Sequence, residues 1–486
     1  MSTVETQMHH PPHHRHPRAR RAATAAAAFS LVLTACATGS QPTSLESGTD
    51  MFPAGAEVSG VLNIMGYNAD ADEVARTRAD LATKAVAPAT IKATEGELDV
   101  QQFLSAVAAG DAPDLIYANR DQLGTFAARN AIMPLDQCIS GEQIAINDFR
   151  ESAITQVTLD GHIYGIPEFN QVQILMANGD LLEDAGLGTA DVDGSSWDKV
   201  TAANKALMRK DGNKLSAIGF DSKLPEFLPL WAKSNGADLV SADGKSALLD
   251  DPKVVEALEF GIGIYADQGG FGTVKAFRDS ADFFGKGNQF ATNVLGAMPM
   301  EQWYINILND VSEQAPMAFD TFKTTAGQPL SFGTGSAWAI PAAGKNPQAA
   351  CRYIKTITQT DSWLAAAETR ASKREEEKKP FTGLFTANQS ADDQIKAKYV
   401  DASTALESPW KEAVEASYTA NDASFSMPAM PADAEFKQAW LDAVNRVLNG
   451  DATATDSLAA GQKEAQAALD KAWADLDNTN ATRDAG

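Results

Sequence analysis

The chain has 486 residues, 44% of them hydrophobic and 21% charged, and a formal net charge of −24 at neutral pH. A body this acidic is repelled by nucleic acid and by anionic lipid, so neither is an expected partner. The length exceeds what one hydrophobic core serves and suits two or three domains.

The first feature along the chain is RRAATAAAAFSLVLTAC, residues 20–36. Crossing a bilayer takes about 20 apolar residues. The run from Ala22 to Ala35 is shorter and largely alanine. Basic residues ahead of a short apolar run that ends in small residues make the pattern of a secretory signal, and residues 1–35 are read as one. The leader holds His9, His10, His13, His14 and His16, which lie ahead of the expected cut and give the mature chain no metal site. Neither a metal nor a cofactor is expected. The exit, Leu33-Thr34-Ala35-Cys36, resembles the lipobox of bacterial lipoproteins, in which the cysteine carries the lipid; an ordinary signal cleaved nearby is the alternative. Residues 36–57 are small, polar and aperiodic, and read as a lipidated Cys36 with a flexible tether.

Beyond the tether, EVSGVLNIMGY (57–67) is nearly all apolar and predicts a buried strand of a parallel sheet. Residues 72–88 have helical spacing. Val100, Phe103, Leu104 and Val107 share a helical face that Gly110 is placed to end, and Asp114–Tyr117 predicts a short strand. DQLGTFAARNAIMPLDQCI (121–139) reads as a further helix. GHIYGIP and QVQILMAN predict strands, followed by helices over 180–187, 195–212 and 252–270, the second with a serine N-cap and the third with Pro252 at its start. Residues 336–358 couple a strand to a helix. The tail is helical, with Phe436, Trp440, Val444 and Val447 on one face and Leu469, Trp473 and Leu476 on another. KREEEKK (373–379) reads as a solvated face or a mobile loop. Alternating strands and helices argue for an α/β architecture.

Besides Cys36 the chain has Cys138 and Cys351. In an oxidising compartment the two could form one disulfide, or equally be two buried thiols. His162 is the one histidine outside the leader. No G-x-S-x-G, H-E-x-x-H or P-loop pattern is present, and one histidine offers little acid–base machinery near neutrality. An enzyme is therefore not expected.

Taken in order, DAPDLIYANRDQLGTFAARNAIMPLD, YGIPEFNQVQILMANGDLLEDAGL, GNQFATNVLGAMPMEQWY, SFGTGSAWAIPAAGKNPQAACRYIK and LNGDATATDSLAAGQKEAQAAL resemble the extracellular solute-binding proteins of bacterial ABC importers. The resemblance is to the sugar-binding group that includes maltose-binding protein, and it covers almost all of the mature chain. It implies an α/β, periplasmic-binding-protein-like fold: two α/β lobes around a cleft, joined by hinge crossings. Lobe 1 would comprise 58–167 and 328–362, and lobe 2 would comprise 168–327 and 363–480. It implies capture of a small-molecule sugar, a mono- or oligosaccharide, and delivery to ABC transporter permease subunits. The receptor would be a monomer on the outer face of the cell membrane, held by its lipid anchor alone. The competing readings are a same-fold receptor for a non-sugar ligand and a lipid-anchored glycoside hydrolase.

A sugar packs its C–H face on aromatic rings, and its hydroxyls need both donors and acceptors. By the resemblance, Trp303 would stack on a ring and Glu301 would accept from hydroxyls. Asn119, Arg120 and Asp121 follow a strand at its carboxyl end, where α/β sheets place ligands; Asp121 is also a candidate helix cap. Gln171 stands where the family often has an acid, with Phe169 and Asn170 beside it. Glu226 and Phe227 would come from a lobe-2 loop. Tyr67 and Asn68 would line lobe 1, Ser336 is a further candidate, and Trp231 is pocket or core. Basic residues near these motifs are few, chiefly Arg120, which favours a neutral ligand.

Overall fold

The structure is a computed structural model that describes residues 51–53 and 55–484. The expected signal peptide, Cys36 and most of the expected tether lie outside the described residues.

The chain enters through strand β1 (Val61–Met65), helix Glu73–Ala85, β2 (Thr90–Thr94), helix Val100–Ala108 and β3 (Leu115–Asn119). Asp72 and Asp99 cap the two helices, accepting from the Ala75 and Gln102 amides. Leu62 and Ile64 are buried, and β1 pairs in parallel with both neighbours, as its apolar run predicts. A hairpin of β4 (Thr158–Leu159) and β5 (His162–Ile163) leads to β6 (Ile166–Pro167). A few residues on, β7 (Gln173–Asn178) already belongs to a second sheet, with β8 (Arg209–Asp211), β9 (Lys214–Phe220), β10 (Leu295–Glu301) and β11 (Met317–Thr321). Every residue of β7 is buried, because it lies between β10 and β11. The chain returns through β12 (Ser331–Phe332) and β13 (Ser336–Ala339), pairs β14 (Ser424–Phe425) with β12, and ends in helices Asp433–Leu448 and Ala454–Asp484. The first sheet runs β2-β1-β3-β13-β6 and the second β11-β7-β10-β9-β8. Two lobes thus form, each around its own sheet.

One local reading is corrected and one refined. Residues 121–139 are two helices, Leu123–Ala128 and Asp136–Glu142. Asn130 takes a left-handed φ of 53° just past the first, and asparagine is among the few residues that tolerate this stop. The charge run 373–379 forms the end of helix Thr360–Glu376 and the turn after it, mostly solvent-exposed as expected, with Arg374 the buried exception. Arg374 is buried against the Asn309 side chain and Asp310 Oδ1 (2.6 Å), and Lys373 bonds Glu73 Oε2 at 2.7 Å. The same helix therefore holds both lobes. Cys138 and Cys351 are joined by a disulfide between helices Asp136–Glu142 and Pro347–Thr358, with Cα atoms 5.7 Å apart. Among the described residues, no helix is long and apolar enough to cross a membrane.

Candidate functional site

The stretches between the sheets lie side by side. Gln171 and Thr334 exchange backbone hydrogen bonds of 2.9 and 3.0 Å; Glu168 N donates to Ser336 O, and Ala387 N to Glu168 O. Gly335, at φ +146°, passes so near Phe169 that a Cβ would stand 2.2 Å from its carbonyl oxygen, so this approach requires glycine. Side chains secure the crossing. Gln302 accepts from Val172 N and donates to Asn170 O, both at 2.8 Å. Arg120, wholly buried, donates to Asn170 Oδ1 at 2.6 Å and to the Thr334 carbonyl. Burial pulls its guanidinium down to about 10. Glu168 forms a fully buried ion pair with Arg78 at 2.7 Å and accepts from the Trp338 indole.

Beside the crossings lies a cavity of about 380 Å³. Asn119 and Asp121 reach it from the carboxyl end of β3. Gln171, Thr334 and Gly335 come from the crossings, Gln173 from the start of β7, Phe332 from β12, and Glu226, Phe227 and Glu301 from the second lobe. Gln156, Met427, Pro428, Met430, Asp433, Phe436, Lys437, Trp440 and Leu441 complete the wall. A larger and more open depression of about 680 Å³, lined by Ile146, Phe149, Lys245, Pro428 and Trp473 among others, holds none of the expected ligand residues. The smaller, more enclosed cavity is the better candidate.

Its charges are mostly neutralised by the protein. Lys437 is the one cation on the wall, and it pairs with Asp121 at 2.6 Å. Glu226 pairs with Lys223 at 2.9 Å. Asp433 accepts from the Met430 and Gly124 amides at 2.8 and 3.0 Å, and burial holds its carboxyl well above the usual range. Glu301 makes no ion pair among the described residues, and Lys223 acts on it only from a distance. Its carboxylate accepts from Trp303 Nε1 at 2.6 Å, and burial, assisted by Glu226, raises its pKa.

The wall also carries polar atoms that the protein leaves unpaired. Gln173 Oε1 accepts from Phe332 N (2.9 Å) and Ser331 Oγ (3.1 Å), while its buried Nε2 has no partner. Gln156 Oε1 and Trp440 Nε1 are likewise buried and unpaired. Lone indole nitrogens of this kind also occur at Trp197 and Trp363; here the three atoms belong to residues of one cavity wall but are themselves screened from its open space. Asn119, Gln171 and Glu301 add polar groups to that wall, so it suits an occupant with both donors and acceptors. Phe227, Phe332 and Trp440 add apolar surface, and Phe436 is wholly buried behind it.

Six of the expected residues, Asn119, Asp121, Gln171, Glu226, Phe227 and Glu301, meet at this wall. Trp303 stands one hydrogen bond behind Glu301. Arg120 and Asn170 lie behind the wall in the crossing, and Phe169 packs edge-on against Trp363. Ser336 hydroxyl donates to Asn119 Oδ1 at 3.3 Å. Asn68 is exposed and accepts from Asp70 N. Tyr67 belongs to the first lobe's core, packed on Tyr117 and Trp338. Trp231 is core, wholly buried, with its indole donating to Ser222 O at 2.8 Å. The reading of the sequence missed Gln156, Gln173, Phe332 and the whole 427–441 group. Phe436 and Trp440, four apart with Lys437 between, were legible only as a helix face. Among the described residues no group of His, Cys, Asp and Glu is arranged to hold a metal.

A family model described as bacterial extracellular solute-binding protein matches residues 94–362. The maltooligosaccharide ABC transporter solute-binding lipoprotein of Streptococcus pneumoniae serotype 4 is 24% identical over 269 residues, 52% of this chain and 57% of that protein. An arabinooligosaccharide-binding protein of Halalkalibacterium halodurans is 25% identical over 115 residues, 24% of this chain and 25% of that one. The matched stretches thus span about half, or less, of these relatives' lengths. Among solved structures, CpMnBP1 with mannobiose bound superimposes with a TM-score of 0.66 at 22% identity, covering 84% of this chain and 100% of that one. The GacH receptor of Streptomyces glaucescens gives 0.64 at 16%, covering 85% and 99%. These likenesses establish the periplasmic-binding-protein-like fold of two lobes.

Proposed function

This chain belongs to the bacterial extracellular solute-binding proteins, and on that footing we propose that it captures a sugar in the cavity beside the crossings and delivers it to the permease of an ABC importer. The observation that carries the reading is the make-up of the cavity wall. Asn119, Gln156, Gln171, Gln173 and Glu301 stand among aromatic residues on one wall, and the single ammonium there is already paired with Asp121. A neutral polyhydroxylated ring matches that wall: C–H faces pack on the aromatics, and hydroxyls donate and accept. The relatives, a maltooligosaccharide ABC transporter solute-binding lipoprotein and an arabinooligosaccharide-binding protein, support the class.

In this reading Trp440, Phe332 and Phe227 contact the sugar faces, with Phe436 behind them. Glu301, Gln171, Asn119, Gln173 and Gln156 bond its hydroxyls, and Arg120 and Asn170 hold the crossing in shape behind them. The lobes, 58–167 with 328–362 and 168–327 with 363–480, close about the crossings on the ligand. The signal-like opening and Cys36 support a lipid anchor on the outer membrane face, and the receptor is read as a monomer. It binds and releases, and does not cleave.

Thermal unfolding of the mature chain without its lipid, run against a panel of mono- and oligosaccharides, tests this. Binding to the native state raises the midpoint by an amount set by ligand concentration over Kd. A midpoint unmoved across the panel, or appearance of hydrolysed product, would overturn it.

A further inference from the structure

Helices Asp433–Leu448 and Ala454–Asp484 are joined by residues 449–453 alone, and so short a link makes them an antiparallel hairpin. Beside the turn, Arg446 Nε donates to Ser457 Oγ at 3.1 Å, and Ser457 Oγ to Ala443 O at 2.7 Å. The hairpin is rooted in the second lobe. Phe436, Val444, Leu458 and Leu469 share the core that holds Leu175 and Met298 of the second sheet. Gln462 accepts from Leu249 N at 2.7 Å and donates to Ala247 O at 2.8 Å, and Gln466 accepts from Ala247 N at 2.8 Å.

In an antiparallel hairpin the start of the first helix and the end of the second lie at the same end, and here both reach the first lobe. At the start of the first helix, Asp433 Oδ2 accepts from Gly124 N at 3.0 Å and Ala434 N donates to Thr125 Oγ1 at 3.3 Å. Arg129 pairs with Glu435 Oε1 at 2.9 Å. The approach is close: a Cβ on Gly124 would stand 2.2 Å from Met430 O. The second helix has 31 residues against 16, so its last turns overrun the first. There Leu476 is buried in the core that holds Phe103, Ile116 and Ala337 of the first lobe. Trp473 packs on the cores of both lobes, and its indole donates to Gly244 O at 3.0 Å.

We propose that this C-terminal hairpin is a clasp: rooted in the second lobe, its open end grips the first and sets what fraction of the receptor stands closed, and hence how tightly cargo is held. The proposal rests on the reading that the lobes close about the crossings on a ligand. The grip is made by protein groups alone, so it acts before cargo arrives. Gly124, Arg129, Glu435 and Leu476 tune affinity as positioning residues, without reaching the cavity.

The test is small-angle X-ray scattering of the mature chain without its lipid and without sugar, for the natural chain, Gly124→Ala and Leu476→Ser. Circular dichroism and a cooperative melt establish that each variant folds. Alanine suits helix Leu123–Ala128 better than glycine does, so Gly124→Ala disturbs only what lies opposite. Both variants should enlarge the radius of gyration. Arg129→Glu should enlarge it less, since the pair is exposed, and the exchange Arg129→Glu with Glu435→Arg should restore it. In calorimetric titration with maltotriose and with mannotriose, a closed fraction lowered from near one to about one in ten weakens binding about tenfold. Equal radii for the natural chain and both variants would overturn the clasp, whether or not either sugar binds. Enlarged radii with unchanged affinity would overturn its hold on cargo. A natural chain that binds neither these nor any sugar of the thermal panel would overturn the sugar reading, while the radii still decide the clasp.

Discussion

Gln302 and Gln173 sit almost side by side, since Gln173 is the register partner of Glu301 at the end of β10. Both are buried. Gln302 belongs to the crossing and uses both ends of its amide, on Val172 N and Asn170 O. Gln173 belongs to the cavity wall and uses one, leaving Nε2 unpaired. The same side chain thus serves two ends. In the crossing the amide's hydrogen bonds all close on the protein; at the wall one donor is left over, buried and unpaired.

That contrast can be broken at four points. The largest effect is expected in the crossing at Glu168→Ala, which strands the wholly buried Arg78 without its carboxylate. It should cost roughly 3–5 kcal/mol of stability in denaturant unfolding. Gln302→Leu removes two bonds from buried backbone groups and should cost about 1–3 kcal/mol per group left unpaired. The molecules that still fold should bind sugar with nearly natural affinity; a large affinity loss at constant stability would erase the distinction between crossing and wall. At the wall the balance reverses. Trp440→Phe keeps a ring and deletes the unpaired nitrogen, so it should leave the unfolding midpoint nearly unchanged and weaken sugar binding about tenfold. Full retention of affinity would show that Nε1 bonds no hydroxyl.

The smallest effect concerns Glu301, whose carboxyl is raised by burial, with Glu226 adding to it. Below the unfolded carboxyl pKa, about 4.3, both states hold the proton. Between that value and the raised native one, only the folded chain does, so stability falls as pH rises through this window. Affinity should move the other way, because the ionised carboxylate is the stronger hydroxyl acceptor. Glu301→Gln should flatten both slopes in paired thermal-shift and titration series; slopes of the same sign would remove Glu301 from the site.

Much of the frame was legible because local rules suffice for it. The apolar run of β1, the capped helices and the polar turn after β3 follow from periodicity and end signals, and they placed Asn119 and Asp121 where the wall has them. Gln171 was legible only through the family resemblance, which often has an acid at that position. Other assignments needed the other half of a contact. Tyr67 and Trp231 have the composition of pocket residues, yet each lies against core aromatics contributed by distant segments: Trp338 for Tyr67, Phe322 for Trp231. Arg120 follows β3 just as Asn119 does, but its guanidinium turns inward to Asn170 and Thr334, residues 50 and 214 positions away.

By itself, then, the sequence determined which residues share a strand or a helix face, that strands and helices alternate, and that two cysteines were available to pair, while its resemblance to a family implied the two lobes. Tertiary structure alone decided that Cys138 meets Cys351, that 373–379 is a helix end bridging the lobes, and that the face carrying Phe436 and Trp440 borders a cavity as well as a core. The reason is physical. Periodicity states which side chains point the same way, whereas burial, pairing and an unpaired amide depend on what the rest of the chain sets opposite them.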